Sequence, residues 1–291
     1  MKKYSAIIVT FYPDFDKLFN MVEILLAEKI SIVIVNNTPK KELKIDSFIN
    51  KSNLFIINNY ENLGIAKAQN IGIDFLSKNS FYATFFFDQD STLDKKLIKN
   101  LINSLSSKVN VVAPIKIDKS TNLEIPSFKI NKLGLCKEQF NRNNLGIIKT
   151  DLVISSGILI KMKVFKKVGF FDESLFIDYV DFEWCFRINY FDEKIYIVPS
   201  AVLKHKIGKG LRYFLFLRTN SHEPFRTYYK IRNPILLLRR KHIPILWTIK
   251  EIILSIKCLI VQIIVDKNRL LHIRKGILGL KDGLIVNFHN I

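Results

Sequence analysis

The sequence predicts an α/β fold, a mostly parallel sheet with helices on both faces, plus a C-terminal helical, membrane-associating segment. Three observations lead there. Short continuous apolar runs recur through the first 115 residues, amphipathic segments of helical period separate them, and the last third turns to long apolar stretches broken by cations. Parallel strands need crossover connections, usually helices, and those helices bury both faces of the sheet.

The elements follow in chain order. The apolar run at the N-terminus is too short and too soon polar for a signal peptide, so residues 6–9 are expected as the first strand. Residues 32–35, 54–57, 82–87 and 109–113 supply the next strands. Leu18, Val22, Leu25 and Leu26 share one helical face, and Leu97, Leu101, Ile102 and Leu105 share another. Residues 114–150 lose this rhythm and are expected as a long connection of the kind that forms active-site structure. Order returns with an apolar run at 153–160, a short helix near 161–168, a helix over about 179–190 and a strand at 195–198 ended by Pro199. A boundary is expected near residue 225, with an α/β domain at 1–225 and a basic amphipathic helical region at 226–291.

Charge supports that division. Residues 201–291 carry 18 Lys and Arg against four acids, whereas residues 1–200 carry 27 against 22. Cations interleaved with apolar runs suit helices lying on an anionic lipid surface. No run reaches the roughly 20 uncharged residues of a spanning helix. Nucleic acid would also attract such charge, but no nucleic-acid-binding signature accompanies it, and no nucleic-acid partner is expected. An ordinary helical subdomain packed on the core is the plainer alternative. Cys136, Cys185 and Cys258 are far apart without metal or redox spacing, which suggests a reducing cytoplasm.

The chemistry-bearing segments lie where parallel strands end, the place ligands collect in such sheets. Asp88-Gln89-Asp90 follows an aromatic strand, and two carboxylates there suit Mg²⁺ or Mn²⁺ on a substrate diphosphate. The competing account is two acids that open a turn and cap the helix beginning near Asp94. Asn62-Leu63-Gly64 opens a helix whose Ala66 and Ala68 either leave room for a ligand or serve sheet packing. Asp178 and Asp181, three apart, are expected on one helical face, where a half-desolvated carboxylate could act as general base. Helix-dipole pairing is the alternative for Asp178 and Glu183. Arg187 is expected as a partner of these acids, and His205 as a structural residue or a further metal ligand.

In this order the segments resemble family 2 glycosyltransferases of the GT-A fold, and within them a bacterial rhamnosyltransferase branch. The matching stretches are residues 7–14, 62–72, 87–91, 155–157, 169–187, 205–208 and 226–233, and the string from Phe176 to Cys185 is the most specific. The resemblance implies an inverting, metal-dependent glycosyltransferase that moves L-rhamnose from dTDP-rhamnose to a polyprenyl-diphosphate-linked saccharide at the inner face of the cell membrane. It implies that Asp181 is the base, that Thr10, Tyr12, Asn36, Asn62, Gly64, Asp88 and Gln89 hold the nucleotide-sugar, and that Asp90 and His205 hold Mg²⁺ or Mn²⁺. Ser156, Asp178, Arg226, Tyr229 and Arg232 would meet the acceptor or diphosphate. One departure is that Asn36-Asn37 stands where the family often has Asp-Asn, so a side-chain carbonyl replaces a carboxylate. A UDP-galactofuranose or other UDP-hexose donor is the alternative within the family. A non-catalytic membrane- or nucleic-acid-binding module is the alternative outside it.

Overall fold

The computed structural model describes residues 2–45, 52–119, 121–131, 134, 136–205, 211–214, 217–220 and 222–285, with backbone alone for 205, 211–214 and 217–220. The chain runs β1 (Tyr4–Thr10), α1 (Phe15–Ala27), β2 (Ser31–Asn36), β3 (Leu54–Asn58), α2 (Gly64–Ser77), β4 (Ala83–Asp88), α3 (Lys95–Ser104) and β5 (Val111–Asp118). Short strands follow: β6 (Glu124–Ile125), β7 (Ser127–Ile130), β8 (Cys136–Gln139), β9 (Ile148–Thr150) and β10 (Leu159–Lys161). Then come α4 (Met162–Val168), a 3-10 turn (Glu173–Leu175), α5 (Val180–Tyr190), β11 (Ile195–His205), β12 (Leu211–Phe214), β13 (Leu217–Asn220), α6 (Pro224–Leu237), α7 (Ile245–Val265) and α8 (Arg269–Ile285).

The main sheet has the order β3-β2-β1-β4-β10-β5-β11-β9. Neighbours β3, β2, β1 and β4 are parallel, as are β5 and β11, while β10 and β9 pair antiparallel. The predicted α/β class therefore holds. Strand alternation divides the core between the two faces. Ala6, Ile8, Ile32, Ile34, Phe85 and Phe87 point to the side covered by α1 and α3. Ile7, Val33, Val35 and Phe86 point to the side covered by α2, α4 and α5. The C-terminal helices reach this second core through Leu237 and Trp247, each at most 2% exposed.

Two expectations are corrected. Residues 114–150 are not irregular throughout: β5 continues to Asp118, and β7 and β8 form a separate antiparallel pair. Alternation there is masked because Val111 to Ile117 are all buried, as in a strand covered on both faces. Pro199 does not end β11. Register shifts between Val198 and Val202, so the proline sits in a bulge where no ladder donor is needed, and the strand continues to His205.

Candidate active site

The parallel strands deliver their carboxyl ends to one edge. β4 delivers Asp88 with its side chain half-buried, and a tight turn, Ser91 N–H to Asp88 O at 3.0 Å, leaves Asp90 exposed. The capping account fails for these two acids, because Asp94 itself caps α3 by accepting from Lys96 N at 2.8 Å. Burial, followed by repulsion from Asp90, pushes the Asp88 carboxyl up to about 6.

Ser155-Ser156-Gly157 links this turn to α5. Ser156 is 1% exposed, its hydroxyl lies 3.0 Å from that of Ser91, and it hydrogen-bonds Asp88. Ser155 hydrogen-bonds Asp181 through both hydroxyl and backbone N–H. Adjacent serines thus hold the two carboxylates beside each other. Burial pushes Asp181 up to about 6, with Ser155 opposing and Asp88 adding repulsion. Lys116 on β5, 5% exposed, lies under both acids and donates to Ile154 O at 2.9 Å. Burial pushes its ammonium down to about 8, opposed by Asp181 and then Asp88. Nothing in the local sequence marks Lys116, since it lies in a run of otherwise buried strand residues. β10 separates β5 from β4 in the sheet, so only the folded chain brings Lys116 to both acids.

The segment preceding Asp181 is held in an unusual conformation. Phe176, Asp178 and Tyr179 have φ of 62°, 63° and 66°. Such values in non-glycine residues persist only where surrounding contacts impose them. Asp178 is therefore not on the helical face of Asp181: α5 begins at Val180, and the left-handed Tyr179 is its N-cap. Four contacts from the C-terminal helices fix the segment. Asn233, fully buried, donates from Nδ2 to the carbonyls of Leu175, Ile177 and Asp178 at 2.9, 2.8 and 3.0 Å. Arg226 grips Asp178 through two nitrogens at 2.5 and 3.1 Å. Tyr229 stacks on Phe176 with centroids 4.8 Å apart. Tyr179 hydroxyl reaches Ser255 at 3.0 Å and Glu251 at 3.3 Å on α7.

The nucleotide-side residues gather at the ends of β1, β2 and α2. Thr10 is fully buried and its hydroxyl lies 3.4 Å from Asn36 Oδ1. Asn36 spends its amide inside: Nδ2 donates to Lys41 O and Asn58 Oδ1, and Oδ1 accepts from Thr38 N. At 1% exposure it shapes the turn and turns no group outwards. Tyr12, 54% exposed, is the residue presented to solvent, with its N–H on the Thr38 hydroxyl. Gln89 clamps Phe11 from both sides, accepting from its N–H and donating to its carbonyl. Asn62 Oδ1 accepts from Gly64 N at 3.1 Å.

Gly64 does need its glycine, for a reason the sequence did not show. With φ +80°, a Cβ there would lie 2.6 Å from Phe176, so close approach is made by the chain itself. Ile65 N donates to Phe176 O at 2.8 Å, joining this turn to the strained segment. For Ala66 and Ala68 the packing account is the right one, since both are fully buried in the core. Asn37, buried and donating to Gly64 O, is a further organiser of the turn.

Fold and site together delimit a family, and the sequence matches glycosyl transferase family 2 over residues 6–169. The chain belongs to that family. It is 34% identical to the dTDP-rhamnosyl transferase RfbF of Shigella flexneri over 280 residues, 96% of this chain and 94% of the relative. Among solved structures, GalNAc-T7 with UDP, GalNAc and Mn²⁺ matches with TM-score 0.56 at 13% identity, over 88% of this chain. TarS of S. aureus matches with TM-score 0.55 at 13% identity, over 82%. The chain spans 57% and 40% of those two structures, which share its GT-A fold. The protein is a glycosyltransferase that resembles the rhamnosyltransferases.

Within this glycosyltransferase the residues fit a hard divalent cation. Asp88 and Asp90 repel each other while Asp88 is desolvated, a cost that a cation between oxygen ligands and a diphosphate relieves. Among the described residues no group of three or more His, Cys, Asp or Glu is placed to hold a metal ion. The antiparallel bridge of Thr92 to Lys204 brings the end of β11 to this turn, although the His205 side chain lies outside the described residues. Arg187 is a partner for an acid, as expected, bound to Glu183 at 2.7 and 2.8 Å with His242 on the same carboxylate.

Proposed function

We propose that this glycosyltransferase moves L-rhamnose from dTDP-rhamnose to a saccharide hydroxyl with inversion, by single displacement. The observation that carries the reading is the Ser155–Ser156 link, which holds the donor-side Asp88 and the α5 carboxylate of Asp181 in one desolvated cluster. An identity of 34% to a dTDP-rhamnosyl transferase, over 96% of the chain, supports the donor.

In this mechanism Thr10, Tyr12 and the Asn62–Gly64 turn bound the nucleoside site, with Asn36 and Gln89 fixing its backbone. Asp88 orients the donor sugar. Asp181 accepts the proton of the acceptor hydroxyl as its oxygen attacks the anomeric carbon and the C–O bond to the diphosphate breaks. A carboxyl raised to about 6 is still ionised at neutral pH yet more basic than an ordinary aspartate, as a base requires. Mg²⁺ or Mn²⁺ held by Asp90, with His205 as a further ligand, would neutralise charge on the departing dTDP. Ser156 fixes Asp88, and Asp178, Arg226, Tyr229 and Arg232 shape the acceptor side through the Phe176–Tyr179 segment.

The acceptor in this reading is a polyprenyl-diphosphate-linked saccharide, met at the inner face of the cell membrane during polysaccharide synthesis. The cationic C-terminal third supports an anionic surface as partner. No helix among the described residues is long and apolar enough to cross a membrane. The test is a donor panel of dTDP- and UDP-sugars with Mg²⁺ or Mn²⁺. Release of dTDP from the rhamnose donor is the expected result, and release only from UDP donors would overturn the donor assignment.

A further inference from the structure

The exposed apolar surface of the described residues concentrates on α7 and α8, and it is ordered. At about 100° per residue, Ile249, Ile253, Ile256 and Ile260 of α7 fall within about 60° of arc. They are 42–48% exposed. Lys250 and Lys257, both exposed, lie next around the helix on one border of that stripe. α8 repeats the arrangement. Leu270, Ile277 and Leu284 are 81%, 63% and 59% exposed, and exposed Arg274 and Lys281 lie beside them, between this row and the exposed Leu271 and Ile285. A helix that merely completes a soluble core faces its apolar stripe inwards. Here the inward faces are occupied by other residues: Trp247, Ser255 and Val261 on α7, His272, Gly276 and Gly279 on α8.

α6 differs. Thr227, Ile231, Asn233 and residues 234–237 are buried, and the helix packs extensively against α8. The C-terminal region is thus not uniformly surface-seeking. Among its described residues, the exposed apolar side chains concentrate on the outer faces of α7 and α8.

We propose that the outer faces of α7 and α8 together form the docking surface of this protein for an anionic phospholipid bilayer. The isoleucine and leucine stripes enter the headgroup–acyl boundary, and Lys250, Lys257, Arg274 and Lys281 remain at headgroup level. Charge decides the occupant. The cations lie beside both stripes, so a second copy docking here would bring like charges together, whereas anionic headgroups complement them. The inference rests on the reading of the protein as an enzyme of the membrane face and adds where it sits and how it faces. On the side opposite the stripe, Glu251 and Ser255 of α7 hold the Tyr179 hydroxyl, two residues before Asp181. Docking therefore places the catalytic segment about one helix diameter, 10–12 Å, from the lipid surface.

The test is flotation of the full chain with vesicles of phosphatidylcholine alone and with phosphatidylglycerol added. Binding is expected only with phosphatidylglycerol and should weaken with salt. Lys250→Gln with Lys257→Gln should lower partitioning by about 30-fold, at roughly 5-fold per cation. Ile253→Glu with Ile256→Glu should abolish flotation while leaving nucleotide release from a soluble donor unchanged. Ile277→Glu on α8 provides a second variant should the α7 pair fail to fold. Absence of flotation with a stable dimer that Ile277→Glu dissociates would overturn the proposal and make the face an interface between copies. Flotation unchanged in all folded variants would overturn it as well. Because donor turnover is read separately, its loss in the wild type would count against the enzymatic reading and not against the surface.

Discussion

Replacing Asn233 with Leu keeps the side chain near its size and removes the amide from beneath the Phe176–Tyr179 segment. The amide has two protons for three carbonyls, so one of its three contacts is shared and about two net hydrogen bonds are lost. Arg232 can only donate, and it donates to Asn233 Oδ1 at 2.8 and 3.0 Å, which fixes which end of the amide faces the carbonyls. Leaving buried acceptors unpaired costs roughly 1–3 kcal/mol each. Three left-handed non-glycine residues store about 1–3 kcal/mol each. The stored strain is thus comparable to the bonding removed, while the Arg226–Asp178, Tyr229–Phe176 and Tyr179–Ser255 contacts remain, so the segment should shift rather than unfold. Relaxation moves Tyr179, the N-cap of α5, and with it Asp181 in the first turn. A displacement near 1 Å costs about 10²-fold in rate. We therefore expect Asn233→Leu to lower kcat about 10²-fold and stability by only about 1–3 kcal/mol, with the Kd for dTDP little changed. Asn233→Asp, which turns a carboxylate towards the same carbonyls, should be worse. The assay is steady-state nucleotide release, with dTDP titration and thermal unfolding on the same samples. Unchanged kcat in both variants would refute the claim that this conformation sets the position of Asp181.

Four further outcomes are expected. Asp181→Asn should fold and bind dTDP but turn over about 10²–10⁴-fold more slowly, and undiminished turnover would remove it from the mechanism. Activity should be lost as pH falls through about 6, where Asp181 takes up a proton, and should decline again as pH rises through about 8, where Lys116 loses its charge. Because the Lys116 ammonium holds the Asp181 carboxyl down, Lys116→Met should move the acid limb of the pH–rate profile to higher pH and abolish the alkaline limb. Asp90→Asn should weaken the Mn²⁺ dependence of dTDP binding, which calorimetry with and without the ion would read; unaltered dependence would place the ion elsewhere.

What the sequence determined by itself is what local pattern encodes. Apolar runs separated by helical periods gave the parallel sheet, and the terminal carboxylates of β4 marked where chemistry should lie, because parallel strands end together. The resemblance in the Phe176–Cys185 string led to Asp181. Boundaries were hardest where burial hides periodicity, as in β5, or where a bulge accommodates proline, as at Pro199. Tertiary structure decided everything that depends on residues far apart in the chain. Only folding brings Lys116 under Asp88 and Asp181, sets Phe176 against Gly64, and places Asn233 beneath three carbonyls 55 to 58 residues away. The same holds for Arg226 and Arg232, whose bonds to Asp178 and to the carbonyls of Ser174 and Leu175 hold the chain just before α5. A side chain's hydrogen bonds and field depend on its neighbours in space, and a sequence pattern records only its neighbours along the chain.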